Sequence, residues 1–141
     1  MSKKITIAID AMGGENSPDK TIEGVKIFID KNKSNDDFIL NIFGIKDIID
    51  NKIRKYKLDP KFINIIDSKT VVSDEATPLT AVKNSKNTSM WNYINHQLNG
   101  DSDISLSAGN TGVLLVISRM ILKMMNEVSK PALAGLWPSQ N

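Results

Sequence analysis

Two short glycine-containing segments carry the side chains best suited to chemistry in this 141-residue chain. The first is the sequence DAMGG at residues 10–14, and the second is SAGNTG at residues 107–112. Glycine has no Cβ atom, so it lets backbone N–H groups approach a ligand closely, and a helix that follows such a loop carries partial positive charge at its first turn. Both segments therefore have the parts that an anion site needs.

The first segment offers Asp10, Gly13 and Gly14 as ligand-binding residues. In this interpretation the glycines open the backbone to an anion just before a helix begins. The structural alternative is a tight turn between a strand and a helix, with Asp10 bonding the backbone of its own loop. Short glycine motifs often occur without a ligand, so both interpretations stay open.

The second segment is richer in donors, because Ser107, Asn110 and Thr111 add side-chain groups to Gly109 and Gly112. Hydroxyl and amide groups donate to phosphate or carbonyl oxygens, and the unpaired N–H groups of a first helical turn do the same. The alternative is a well-capped helix start with Thr111 as the cap. The glycine spacing fits neither the dinucleotide-binding fingerprint nor the Walker phosphate loop.

A third polar cluster, between the two segments, combines Lys83, Lys86, Thr88 and Ser89. It suits the clamping of an anionic group, and its structural alternative is a solvated loop in which Ser89 caps a helix. His96 has no second metal ligand at a suitable spacing, and the chain has no cysteine. No metal site is therefore predicted.

The first half of the chain alternates strands with helices. Short apolar runs predict strands at residues 5–9, 38–43 and 62–66. The first helix is predicted to begin at Pro18 with Ser17 as its N-cap, and the second occupies residues 45–56.

The second half begins with a polar stretch at 68–87, which predicts a long loop or a short helix. A helix capped by Ser89 then extends to Leu98, followed by a short strand at 104–107. An apolar helix is predicted at 113–125, and the start of another strand at 131–137.

This alternation predicts an α/β fold with a mainly parallel sheet, because parallel strands need crossover connections that pack as helices on the faces of the sheet. Ligands of such sheets lie outside the carboxyl ends of the strands, where both glycine segments fall. The sequence does not fix whether the two strands that precede them are neighbours.

Composition narrows the choice of partners. With 18 Lys and Arg against 16 Asp and Glu, the net charge of +2 gives no argument for nucleic acid. The apolar runs are far shorter than the ~20 residues that cross a bilayer. Hydrophobic residues at 40% and charged residues at 24% are ordinary for a globular domain with one core.

Four strings carry a family resemblance: IAIDAMGGENSP at 7–18, KNTSM at 86–90, SAGNTGVLL at 107–115 and KPALAGLWP at 130–138. In order and spacing they resemble the phosphate acyltransferase (PlsX) family of fatty acid and phospholipid synthesis. The resemblance implies a three-layer α/β/α sandwich of the isocitrate and isopropylmalate dehydrogenase type. Residues 1–141 would be the N-terminal portion of a single acyltransferase domain, incomplete at its C-terminus, because family members are more than twice as long. We therefore expect this segment alone to lack activity.

The resemblance also implies an activity. Acyl-[acyl carrier protein] and inorganic phosphate would give acyl phosphate and free carrier protein, the first step toward phosphatidic acid, without a cofactor. The resemblance further implies a homodimer in the cytoplasm and at the inner face of the membrane, whose product would feed a membrane glycerol-phosphate acyltransferase.

Matching positions give Asn110 and Thr111 as catalytic residues. The implied substrate-binding and phosphate-binding residues are Asp10, Gly13, Gly14, Lys86, Ser89, Ser107, Gly109 and Gly112. Two other functions stay open: transfer from acyl-coenzyme A in the manner of a phosphate acetyltransferase, and a non-catalytic binding module.

Overall fold

The computed structural model, which describes residues 3–73 and 75–136, has one four-stranded parallel sheet at its centre. The order across the sheet is β3-β2-β1-β4. The strands are β1 Ile5–Asp10, β2 Phe38–Gly44, β3 Ile63–Asp67 and β4 Ile104–Leu106. All four follow the sequence prediction to within a residue or two at each end.

Helices cover both faces of this sheet and complete the predicted three layers. One face carries α1 Asp19–Lys31 and α2 Lys46–Tyr56. The other carries α3 Pro78–Asn84, α4 Ser89–Leu98 and α5 Thr111–Leu122. The predicted α/β class and the layer arrangement are confirmed.

Each face of the sheet has its own apolar core. In β1, Ile9 packs into the core under α1 and α2, whereas its neighbour Ala8 packs into the core under the other three helices. Successive strand residues point to opposite faces, so a strand buried on both faces reads as a continuous apolar run. This is why ITIAI was recognisable as a strand without any alternation of apolar and polar residues.

The polar stretch at 68–87 contains the short helix α3. Pro78 occupies its first turn, where the missing N–H costs nothing. Thr77 is the N-cap and forms a reciprocal capping box with Thr80. The second of the two predicted alternatives, a short helix, is therefore confirmed.

Three predicted helix caps are wrong. α1 begins at Asp19, and the Ser17 hydroxyl instead lies 2.5 Å from the Gly13 carbonyl oxygen and 2.8 Å from that of Gly14. The cap of α4 is Thr88, whose Oγ1 accepts from the Trp91 N–H, so Ser89 is already the first helical residue.

For α5 the cap is Asn110, not Thr111. Asn110 Oδ1 accepts from the Val113 N–H at 3.1 Å. A cap needs non-helical backbone angles and a side chain that reaches the N–H two or three residues later. In both α4 and α5 the residue with those angles lies one position before the predicted cap.

The C-terminal part differs most from the prediction. α5 ends at Leu122, and Lys123 takes a positive φ of 64°. The predicted strand is wrong for residues 131–136, which form no strand. Pro131 has no N–H for a ladder, and Leu133 and Leu136 are exposed. Trp137, the last residue of that predicted strand, lies outside the described residues. No described helix is long and apolar enough to cross a membrane.

Candidate functional site

The two glycine loops lie side by side because β1 and β4 are neighbours in the sheet. Leu106 pairs with Ile9, so the chain leaves both strands at the same level. A Cβ atom added at Gly13 would lie 3.0 Å from the Gly109 Cα, and one added at Gly109 would lie 3.3 Å from the Gly13 Cα. The glycines therefore let the two loops contact each other directly.

Gly14 closes the first loop against the second. Its φ is +94°, a region that favours glycine, and a Cβ atom there would lie 2.7 Å from the Ala108 carbonyl oxygen. The hydroxyl of Ser17 donates to the Gly14 carbonyl from the other side. The conformation of residues 11–14 therefore depends on packing against the second loop as well as on hydrogen bonds within the turn.

Asp10 sits at the junction of the loops with only 1% of its surface exposed. Its Oδ1 accepts from the Met12 N–H at 3.2 Å, and its Oδ2 accepts from the Ser107 hydroxyl at 3.0 Å. Burial raises the pKa of this carboxyl, and the nearby Ser89 hydroxyl, the hydrogen bonds from Met12 and Ser107, and the Gly13 N–H oppose that rise. The bond to Met12 fits the structural alternative, in which Asp10 bonds the backbone of its own loop, and contact of Asp10 with phosphate stays a prediction.

Ser107 links the two loops through one hydroxyl. Its Oγ accepts from the Gly109 N–H at 3.0 Å while donating to Asp10 Oδ2. Backbone and side chain of the second loop are therefore tied to the carboxylate of the first.

Asn110 holds the start of α5 and the segment that crosses above it. Besides capping α5, its Nδ2 donates to the Ala76 carbonyl at 3.2 Å. Residues 71–73 of the same segment line a small pocket together with Asp10, Gly13, Gly109 and Asn110. The space in this pocket is too narrow to hold a water molecule.

The first turn of α5 is partly open to solvent. Thr111 is exposed and Gly112 is half-buried. The N–H groups of Thr111 and Gly112 belong to the first helical turn, so they have no acceptor within the helix. An anion placed there would meet these N–H groups, the Thr111 hydroxyl and the positive end of the helix dipole.

Comparison with known proteins settles the family. Residues 5–141 match the family model described as fatty acid synthesis protein. The chain belongs to the fatty acid synthesis protein family. The resemblance predicted from the four sequence strings is thereby confirmed.

The relatives are named phosphate acyltransferase. The protein from Pelagibacter ubique is 47% identical over 140 residues, covering 99% of this chain and 40% of the relative. Those from Jannaschia sp. and Afipia carboxidovorans are 36% and 31% identical, covering 36% and 39% of their lengths. This chain spans about two fifths of the length of these relatives.

Most of the family-implied residues meet at the two loops, but Lys86 stands apart. It is exposed in the turn between α3 and α4. Within residues 3–73 and 75–136, no ion pair or side-chain hydrogen bond joins Lys86 to the loops. Ser89 is buried at the start of α4, near enough to Asp10 for its hydroxyl to lower the pKa of that carboxyl.

Sequence reasoning missed Tyr93. It is 1% exposed, and its pKa is raised by burial and then by the negative charge of Asp10. The sequence pattern indicated only that Tyr93 belongs to the apolar face of α4. The available signal was its spacing from Ser89, because residues four apart share one face of a helix.

An apolar cavity of about 330 Å³ opens beside α1, on the face of the sheet opposite α4. Ser107 and Ala108 form its rim at the end of β4. The apolar lining includes Ile7, Ile9, Val25, Phe28, Leu40 and Leu106. The described part of the chain contains no cluster of three or more His, Cys, Asp or Glu side chains suited to a metal ion.

Proposed function

We propose that this chain takes part in transferring an acyl group from acyl-[acyl carrier protein] to inorganic phosphate, giving acyl phosphate and free carrier protein on the way to phosphatidic acid. The names of the relatives support acyl transfer to phosphate. The observation that carries the proposal is the contact between two glycine loops at the carboxyl ends of adjacent parallel strands.

Phosphate binds at the open first turn of α5 in this proposal. Its oxygens accept from the N–H groups of Thr111 and Gly112, from the Thr111 hydroxyl and from Ser107. Asp10 accepts rather than donates, so its part is to hold the two loops together.

The chemistry is a direct attack. A phosphate oxygen forms a bond to the thioester carbonyl carbon, the carbon–sulfur bond breaks, and the proton of hydrogen phosphate ends on the departing sulfur. In this proposal Asn110 and Thr111 donate to the developing oxyanion, and one such donor is worth ~10²-fold to 10³-fold in rate. Holding both reactants removes much of the cost of a bimolecular encounter.

No covalent enzyme intermediate is needed. The chain has no cysteine, and its serines are not set in a nucleophile-elbow sequence. Rapid quench of the reaction should trap no acyl group on the protein, and a stable acyl-enzyme would contradict direct attack.

The hydrocarbon part of the substrate occupies the cavity beside α1 in this proposal. The cavity is lined mainly by apolar side chains, and its rim at Ser107 adjoins the proposed position of the thioester. Burying each methylene there is worth about 0.8 kcal/mol. Homodimer formation, a cytoplasmic location and hand-over to a membrane glycerol-phosphate acyltransferase are further parts of the proposal, drawn from the family resemblance.

The test measures phosphate-dependent release of free carrier protein from acyl-[acyl carrier protein]. It compares this chain with a chimera in which the chain replaces the matching stretch of the Pelagibacter ubique relative. We expect turnover by the chimera. Turnover with acyl-coenzyme A and none with the carrier protein would favour the phosphate acetyltransferase alternative, and a folded chimera inactive on both would favour the non-catalytic module.

A further inference from the structure

Three buried hydroxyl oxygens have no hydrogen-bond partner among the described residues: Ser85 Oγ, Ser89 Oγ and Tyr93 Oη. Unpaired buried donors cost free energy and are rare in native proteins, so each calls for an explanation. Ser89 and Tyr93 share the face of α4 that packs on β1, the strand that ends in Asp10.

Both of these side chains lie close to Asp10 or to its partner Ser107. The Ser89 hydroxyl lowers the pKa of the Asp10 carboxyl, although the two groups lack the geometry of an ordinary hydrogen bond. Tyr93 lies within the electrostatic reach of Asp10 and of the Ser107 hydroxyl. Two buried hydroxyls without a partner in the described part of the chain therefore lie on the side of Asp10 that α4 covers.

The hydroxyl of Ser107 explains why a surplus would be needed. A serine has a single proton to donate, and in this structure it goes to Asp10 Oδ2. If Ser107 donates to phosphate, as the proposed function requires, it cannot donate to Asp10 at the same time. A buried carboxylate would then lose a hydrogen bond, which is costly in a low dielectric.

We propose that Ser89 and Tyr93 are reserve hydrogen-bond donors for Asp10, positioning residues that keep its carboxylate paired when Ser107 turns to the phosphate. The Ser89 and Tyr93 hydroxyls are unpaired without phosphate, and they donate to Asp10 when phosphate is bound. This inference rests on the proposed function, because it requires an anion at Ser107.

The probe is inorganic phosphate, titrated into this chain and followed by backbone amide shifts. The variants are Ser89→Ala, Tyr93→Phe and the double variant. Two matched controls are available: Ser85→Ala removes a buried unpaired hydroxyl that does not act on Asp10, and Tyr56→Phe removes a hydroxyl paired with Glu23 and Asp19 on the far side of the sheet.

We expect the double variant to bind phosphate about tenfold more weakly, as for loss of a hydrogen bond to a charged group. Each single variant should show a smaller loss, and neither control should change the affinity. Without phosphate, the Tm of Tyr93→Phe should equal or exceed that of the wild type, because the hydroxyl it removes is unpaired there. If Tyr93 had only a structural role, Tyr93→Phe would lower both the phosphate affinity and the Tm.

A second readout is pH. A protonated Asp10 needs no replacement donor. The difference in phosphate affinity between wild type and double variant should therefore vanish as pH falls through the pKa of Asp10, which is followed by the NMR shift of its carboxyl carbon. Tyr93 is the titratable side chain that faces Asp10 from α4, and Lys20 of α1 lines the cavity on the other face of the sheet. Neither changes charge at acidic pH.

The outcomes separate this inference from the proposed function. Ser107→Ala should weaken phosphate binding. If it does and the double variant binds like the wild type at every pH, the reserve-donor inference is overturned and the phosphate site stands. If Ser107→Ala also binds like the wild type, or if phosphate shifts no amide, the phosphate site falls and the inference falls with it.

Discussion

The two glycine loops are alike in composition but differ in what their atoms contact. In the first loop, the glycines pack against the second loop and against Asp10, and Ser17 closes the turn behind them. In the second loop, Asn110 and Thr111 begin a helix whose first turn is open. A glycine motif at the end of a strand can therefore serve loop packing, ligand access or both, and only contacts distinguish these roles.

The largest effect is expected from a substitution that keeps Asn110's role as the cap of α5 but removes its role as a hydrogen-bond donor. Asn110→Asp keeps an oxygen for the Val113 N–H, so the helix cap survives. It removes the amide donor and adds a negative charge beside the proposed phosphate position. Turnover of the chimera should fall by ~10²-fold to 10³-fold, measured as release of free carrier protein.

The matched control for that charge is Asn32→Asp, at the exposed C-terminus of α1, which should leave turnover unchanged. Asn110→Ala should lower turnover similarly and also cost about 1 kcal/mol of stability through the lost cap. Equal turnover in Asn110→Asp and wild type would remove Asn110 from the mechanism and leave the second loop a structural one.

Gly13→Ala tests the packing role of the first loop. The new Cβ would lie 2.7 Å from Asp10 Oδ2 and 3.0 Å from the Gly109 backbone, and the backbone cannot give way freely. The free energy of unfolding, measured with urea, should fall by about 1–3 kcal/mol.

Gly24→Ala, in α1, is the control for Gly13→Ala. Nothing lies within 4 Å of its added Cβ, so it should gain up to about 1 kcal/mol from helix propensity. A Gly13→Ala variant as stable as the wild type would show that the loops do not depend on close contact.

Gly24→Leu tests the cavity beside α1. Gly24 lines this cavity, so a leucine there should fill part of it without strain elsewhere. The chimera should then lose several-fold in kcat/KM for long acyl chains and little for short ones, with each excluded methylene worth up to about 0.8 kcal/mol. Gly24→Ala should keep the chain-length profile, and an unchanged profile in Gly24→Leu would place the acyl chain elsewhere.

Asp10→Asn probes the smallest effect, the pH dependence of stability. Burial raises the pKa of Asp10 above 3.8 in the folded state, so the folded protein holds this proton more tightly than the unfolded chain does. The stability that Asp10 contributes is therefore full below pH ~3.8 and is lost as pH rises through the folded pKa.

Asparagine stays neutral throughout, so Asp10→Asn should gain stability relative to the wild type as pH rises through that window. Urea unfolding of both proteins at a series of pH values measures this difference. A difference that stays constant, or that falls with pH, would mean that burial does not govern the charge state of Asp10.

The sequence was enough for the order of strands and helices, because ITIAI, FILNIF and the 3.6-residue spacing of Ile22, Val25 and Ile29 are strong local signals. Cap positions were harder. Thr88 and Ser89 are both good capping residues, and backbone angles decide which one is used.

The site depended on information that no local pattern carries. Asp10 and Ser107 are 97 residues apart, and their hydrogen bond exists because β4 pairs with β1. Tyr93 could not be predicted for the same reason, because its hydroxyl comes near Asp10 only through the packing of α4 on β1. The strand predicted from residue 131 failed because apolar composition alone does not supply a pairing partner.

The central claim is that the paired glycine loops bind phosphate, and the most direct test is a phosphate titration of the ¹⁵N-labelled chain. We expect saturable amide shifts concentrated at residues 107–112, with smaller shifts at 10–14 and none at Lys86. Shifts centred on Lys86 and the turn before α4, or no saturable shift at either loop, would contradict it.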